Sequence, residues 1–228
     1  MAPQSYFARG KLLLTAEYMI LFGARALALP LVYGQWLIPE KKATPGILRW
    51  TAKYREQTWF EAHLRQEDLS VEYTTQKDTS TQLVFVLQQL IALNPSVKVL
   101  MDNYDLTTRL DFDPAWGFGS SSTLTALLAQ WAGVDPMQLH FRISRGSGYD
   151  VACATASKPM IYELIDDMPV TESVDFSPPF AGHLYFVYLG EKQRSDTSIK
   201  SFLKEYNPTP EDIEYFSQIT YKILNAKT

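Results

Sequence analysis

Cysteine, histidine and basic charge are all scarce in this chain, and each shortage removes a class of function. Of 228 residues only Cys153 is a cysteine, so no internal disulfide can form. The three histidines, His63, His140 and His183, lie far apart with no cysteine or histidine at metal-ligand spacing, which rules out structural zinc. Lysine and arginine number 21 against 25 aspartates and glutamates, a net charge of -4, and no basic cluster is denser than Lys41-Lys42. Nucleic acid is therefore excluded as the main partner, because its phosphates need a concentrated basic surface. No apolar run approaches the roughly 18 residues of a membrane span. The start, Met1-Ala-Pro-Gln-Ser5, has no charged segment leading into an apolar one. The expected setting is the cytoplasm, with no membrane partner.

Apolar side chains are plentiful: 46% of residues are hydrophobic, 13% aromatic and 20% charged, enough to bury the core of one large or two small domains. Leu12–Leu14 and Tyr18–Phe22 read as short strands joined by a polar turn, and the apolar stretch 26–38 is broken by Pro30 and Gly34. Alternation over 47–54 and 60–64 predicts an antiparallel hairpin with one wet face. Leu83, Val84, Leu87, Leu90 and Ile91 carry helical spacing up to Asn94-Pro95, and alternation returns over Tyr104–Phe112.

A small-residue loop, Pro114 to Ser122, then opens onto a helical stripe of Leu124, Leu127, Leu128 and Trp131 closed by Gly133. Asp135-Pro136 starts another helix by cap and first-turn logic. A short helix is expected over Tyr149–Ala156, a strand over Met160–Leu164, a linker over Asp166–Pro179 and a strand over His183–Leu189. Helices follow from about Asp196 to Tyr206 and from Thr209-Pro210. Strands and helices mix without strict alternation, which predicts an α+β fold in two lobes.

Three segments could carry chemistry. Gly117-Phe-Gly119-Ser120-Ser121-Ser122 before a helix suits an anion, since glycines admit close backbone approach and a helix N-terminus attracts negative charge. It equally suits a glycine turn with a serine cap, although three serines exceed what a cap needs. It is not the Walker loop, which has a lysine directly before its Ser/Thr. Lys11, with Glu17 six residues on, is either a solvated strand end or a functional cation. Asp150, after Gly146-Ser147-Gly148-Tyr149, is either a charge favoured by a helix dipole or a catalytic carboxylate. Cys153 reads as a small buried hydrophobe.

Taken in order, these segments resemble the GHMP kinase superfamily, named for galactokinase, homoserine kinase, mevalonate kinase and phosphomevalonate kinase. Arg9-Gly-Lys11-Leu-Leu-Leu-Thr15-Ala-Glu17-Tyr is similar to its first motif, with Ala16 in place of the usual glycine. Pro114-Ala-Trp-Gly117-Phe-Gly119-Ser-Ser-Ser122 resembles the nucleotide loop, one spacer residue short. Gly146-Ser147-Gly148-Tyr-Asp150-Val-Ala-Cys-Ala resembles the segment that carries the family's aspartate, and most closely the bacterial GYDIA subgroup, with Val151 in place of isoleucine. The resemblance spans residues 5 to about 205.

It implies an ATP- and Mg²⁺-dependent small-molecule kinase. The implied architecture is an S5-like N-terminal lobe (1–168) and an incomplete ferredoxin-like C-terminal lobe (180–228). In that reading Gly117, Gly119, Ser120, Ser121 and Ser122 hold the triphosphate, and Ser121 also binds the metal. Asp150 is the base, Lys11 its electrostatic partner within salt-bridge reach, and Glu17, Ser147 and Gly148 face the substrate. Mevalonate is the expected substrate, with phosphomevalonate kinase, diphosphomevalonate decarboxylase or a non-catalytic nucleotide-binding protein or fragment as the alternatives. The region matching the family's metal-binding glutamate, Gln138-Leu-His140-Phe-Arg-Ile143, has no carboxylate, and the third glycine-rich motif has no counterpart. The stripe of Ile213, Phe216, Ile219 and Ile223 is therefore expected to be mobile, repacked on the first lobe, or buried against another copy in a homodimer.

Overall fold

The computed structural model describes residues 4–190 and 195–226. Eight strands form one sheet: β1 (Tyr6–Leu13), β2 (Ala26–Lys41), β3 (Ile47–Tyr54), β4 (Gln57–Arg65), β5 (Val71–Thr74), β6 (Tyr104–Leu110), β7 (Met160–Ile165) and β8 (Met168–Ser173). Their order is β5-β4-β3-β6-β2-β7-β8, with β1 paired antiparallel to β2 outside that path. Among the described residues only β3 and β6 run parallel. Seven helices accompany the sheet: α1 (Lys77–Leu93), α2 (Val97–Asn103), α3 (Ser120–Ala132), α4 (Pro136–Ile143), α5 (Tyr149–Thr155), α6 (Ser195–Glu205) and α7 (Pro210–Leu224).

Where one face of an element is wet, the apolar pattern predicts the element well. The β3–β4 hairpin forms with Trp50 opposite Ala62 and Leu48 opposite Leu64, all four buried. Leu83, Leu87 and Leu90 of α1 face the same core as Leu127 and Leu128 of α3. Each of these leucines, withdrawn from water, contributes about 1.5–3 kcal/mol. Caps agree as well: Asp135 accepts the Gln138 amide at 2.8 Å to start α4, and Gly133 at φ +64° closes α3.

Four expectations need correction. Tyr18–Phe22 is not a strand: Met19–Phe22 forms a 3-10 turn whose Met19 and Ile20 are buried. Pro30 and Gly34 do not break the second apolar stretch. β2 runs through both, because Pro30 stands opposite Lys11 at a bulge in β2, where Leu31 to Tyr33 face only Gly10, and bare Gly34 admits the Phe7 ring and the Ala8 carbonyl. The linker after Asp166 is in large part a strand, since β8 pairs with β7 from Ile165–Met168 to Met160–Ser173 and extends the sheet. The strand expected over His183–Leu189 does not form: its apolar run Leu184–Leu189 pairs with no other strand among the described residues. Its side chains are 41–87% exposed, and the Phe186 ring rests 4.8 Å from that of Phe118.

The last helix lies against the sheet and the 3-10 turn. Ile213 and Phe216 of α7 and Phe202 of α6 pack on a cluster of Met19, Ile20, Ala26, Met160 and Tyr162. The centre of the contact is polar. The Leu27 amide donates to Thr15 Oγ1 (2.8 Å), Thr15 and Thr220 hydroxyls meet at 2.7 Å, and Thr220 donates to the Arg25 carbonyl at 2.7 Å. Ser217 Oγ accepts the Arg25 amide at 3.0 Å. A helix laid over the end of β2 meets unpaired backbone there, and small hydroxyl residues satisfy it.

Candidate active site

The glycine-serine loop lies against β1. Lys11 N–H donates to the Phe118 carbonyl at 3.0 Å, so the residue carrying the candidate cation also anchors the loop. Gly119 takes φ +88° as the residue before α3. A β-carbon there would stand 2.6 Å from Ser122 Oγ and 3.1–3.2 Å from the Lys11 side chain, so the Lys11 stem runs directly over the bare glycine. Gly117 is exposed at φ +77°, and Ser121 is exposed in the first turn of α3. Ser122 is buried and its hydroxyl donates to the Gly119 carbonyl at 2.8 Å, so that hydroxyl holds the loop together. The N-terminus of α3, whose dipole favours negative charge, thus lies beside two glycines and a lysine stem, an arrangement that suits an anion.

Beyond Lys11 opens a cavity of about 140 Å³. Lys11, Glu17, Ser147, Gly148, Tyr149 and Asp150 all line it. The fold thus brings the first and third candidate segments to one hole, with the loop residue Gly119 touching Lys11 at its edge. Asp150 stands in the first turn of α5, where the helix dipole favours its charge, and its Oδ1 accepts the Val151 amide at 3.0 Å. The expected ion pair is absent: no Lys11–Asp150 contact within 4.0 Å occurs among the described residues. Lys11 Nζ instead lies 5.4 Å from the centroid of the Tyr149 ring, a cation–π arrangement.

Glu17 sits at the mouth of the cavity between two residues in the left-handed region, Ala16 (φ +58°) and Tyr18 (φ +62°). The first is the position where the resembling motif carries glycine. Two such residues store strain of about 1–3 kcal/mol each, which tertiary contacts must hold in place. Proximity to protein mass raises the Glu17 carboxyl above its ordinary value, and Lys11 opposes that shift. Burial pushes the Cys153 thiol up to about 12, so it is inert packing, as its small-residue context suggests.

Two residues that sequence reasoning passed over hold the Asp150 segment. His140 Nε2 donates to the Gly146 carbonyl at 3.1 Å, and the buried Tyr162 hydroxyl donates to the Ser147 carbonyl. His140 was visible only as a departure from a motif, and Tyr162 only as a strand aromatic. No group of three or more His, Cys, Asp or Glu residues gathers into a metal site among the described residues.

Comparison with solved structures bears on the fold that carries this arrangement. Mevalonate kinase from Methanococcus jannaschii matches with a TM-score of 0.65 at 11% identity, covering 100% of this chain and 74% of that one. The fold is that of the GHMP kinases. L. major mevalonate kinase, solved with R-mevalonate, matches at 0.54 with 13% identity over 96% of this chain and 68% of that one. Lactococcus lactis galactokinase, solved with galactose, matches at 0.52 with 12% identity over 76% of this chain and 47% of that one. Neither the family models nor the curated protein sequences give a match. No described helix of this GHMP-kinase fold is long and apolar enough to cross a membrane.

Proposed function

We propose that this chain is a GHMP-type kinase that transfers the γ-phosphoryl group of ATP to a hydroxyl of a small acid, with mevalonate the first choice. One observation carries the reading: Lys11 joins an anion cradle at the start of α3 to a cavity that also holds Asp150 and Glu17. Bound at the cradle, ATP supplies the phosphoryl group. Gly117, Gly119, Ser120 and Ser121 approach its phosphates through backbone amides, and Ser122 adds an amide while its hydroxyl stays on Gly119. Asp150, with Oδ1 held by its own helix, takes the acceptor's proton at Oδ2. Lys11 supplies positive charge between the two reactants. Phosphoryl transfer asks for such positioning and charge neutralisation more than for covalent chemistry.

Mevalonate is favoured because mevalonate kinases are among the similar structures and a 140 Å³ cavity suits a compact acid. Ser121 is the proposed contact to Mg²⁺, and Ser147 and Gly148 are the proposed substrate contacts beside Asp150. Residues 1–168 as an S5-like nucleotide lobe, 180–228 as part of a ferredoxin-like one, a cytoplasmic setting and a homodimer belong to the same reading. The second reading is a nucleotide-binding protein without turnover, favoured by the missing Lys11–Asp150 ion pair and the lack of a carboxylate metal cluster among the described residues. ADP release measured with ATP·Mg²⁺ across a panel of mevalonate, phosphomevalonate, diphosphomevalonate and simple sugars separates them. Release with one acceptor supports the kinase, and tight ATP binding without release on any acceptor supports the second reading.

A further inference from the structure

The segment that delivers Asp150 is pinned at three successive residues by side chains from two other elements. His140, on α4, donates from Nε2 to the Gly146 carbonyl at 3.1 Å. Tyr162, on β7, donates its hydroxyl to the next carbonyl, that of Ser147. Gly148 follows at φ +83°, and a β-carbon there would strike Met137 Cε and stand 3.1 Å from His140 Cδ2, so the segment packs on the imidazole with no room to shift outward. Ser144 Oγ accepts the Gly146 amide at 3.1 Å from the side of α4. Two residues after Gly148 comes Asp150.

Both clamping side chains are buried, His140 at 5% exposure and Tyr162 at 0%. Burial keeps the Tyr162 phenol protonated, raising it well above its ordinary value, and the nearby Asp150 charge adds to the effect. The hydroxyl is thus held as a donor around neutral pH. A sheet residue and a helix residue converge on adjacent carbonyls of one loop, and neither is needed there for an ordinary turn.

We propose that His140 and Tyr162 are positioning residues: a two-point clamp on the Gly146 and Ser147 carbonyls that sets where Asp150 stands in the cavity. The consequence for catalysis rests on the kinase reading above, and the clamp itself does not. Misplacing a reacting group by about 1 Å costs on the order of 10²-fold in rate. Loss of either donor should therefore lower kcat by roughly 10- to 100-fold while leaving nucleotide affinity at the α3 cradle, which neither donor touches, unchanged.

The test uses the whole chain as Tyr162→Phe, His140→Leu and His140→Gln, the last placing an amide donor near the position of Nε2. Hydrogen exchange of the amides of residues 148–151 is measured without ligand, with unfolding followed in the same samples and kcat and nucleotide Kd measured on folded protein. The clamp predicts faster exchange confined to that segment in Tyr162→Phe and His140→Leu, recovery in His140→Gln, and a loss in kcat without a change in Kd. Lower thermal stability with segment exchange as in wild type would overturn it. So would equal exchange in the leucine and glutamine variants. If wild type transfers phosphate to no acceptor, the kinase reading falls, and the exchange pattern still decides the clamp.

Discussion

Gly119 offers a perturbation whose cost can be worked from coordinates. Replacing it with alanine puts a β-carbon on a residue at φ +88°, a strain of about 1–3 kcal/mol for a non-glycine residue. The same carbon stands 2.6 Å from Ser122 Oγ, closer than van der Waals contact allows, so the serine must rotate and give up its 2.8 Å bond to the Gly119 carbonyl. That bond contributes about 0.5–1.5 kcal/mol. The sum is about 1.5–4.5 kcal/mol, or a fall in Tm of roughly 3–18 °C for a chain of this size. Gly117→Ala is the control: φ is +77° there but nothing lies within 4 Å, so only strain applies. Because the added methyl also presses on the Lys11 stem, Gly119→Ala should weaken ATP binding about tenfold or more, about 1.4 kcal/mol, while Gly117→Ala changes it less. Urea unfolding and calorimetric titration measure the two effects. If Gly119→Ala matches Gly117→Ala in both stability and affinity, the close approach of Lys11 and Ser122 is not what the glycine is for.

Thr220→Val removes the hydroxyl that links Thr15 to the Arg25 carbonyl, and a buried carbonyl left unpaired costs about 1–3 kcal/mol; urea unfolding should show that loss, and hydrogen exchange should show α7 opening first. Glu17→Gln should flatten the dependence of stability on pH. The folded carboxyl titrates above its usual value of 4.5, so wild type holds the extra proton between the two values and loses stability as pH rises through that window. Thermal melts from pH 4 upward check it, and a wild-type curve that rises across the window contradicts the sign.

The sequence reveals most where one face of an element is wet. The β3–β4 hairpin, α1, α3 and α4 all follow from alternation, helical spacing and caps, because half-buried elements print their period into the chain. Failures fall where burial is two-sided or where a partner is needed. β2 is buried along much of its length and has strands on both sides, so Pro30 and Gly34 look like breaks when they are a bulge and a crossing point. Leu184–Leu189 is apolar throughout, as a buried strand would be, but a strand exists only with a neighbour.

The candidate site divides along the same line. Residues with distinctive chemistry in small-residue contexts, Lys11, Gly119 and Asp150, could be found from order and spacing, and they meet at one cavity edge. Ser122 has the right chemistry, but its hydroxyl belongs to the loop's own hydrogen bonding. His140 and Tyr162 act through backbone carbonyls, and nothing in a side-chain pattern marks which carbonyl a distant donor will reach. The polar seam under α7 was hidden for a related reason: Ser217 and Thr220 stand one and four positions from Phe216, inside an apolar stripe that drew the attention.

The central claim is that Asp150 takes a proton from an acceptor hydroxyl while the α3 cradle holds ATP. It is tested most directly by comparing wild type with Asp150→Asn in a single-turnover assay of phosphoryl transfer to mevalonate, alongside ATP affinity. Asparagine keeps the size and position of the side chain and cannot accept the proton, so transfer should fall by at least about 10²-fold, the low end for general-base catalysis, with ATP Kd unchanged. Transfer at the wild-type rate by the variant would contradict the account.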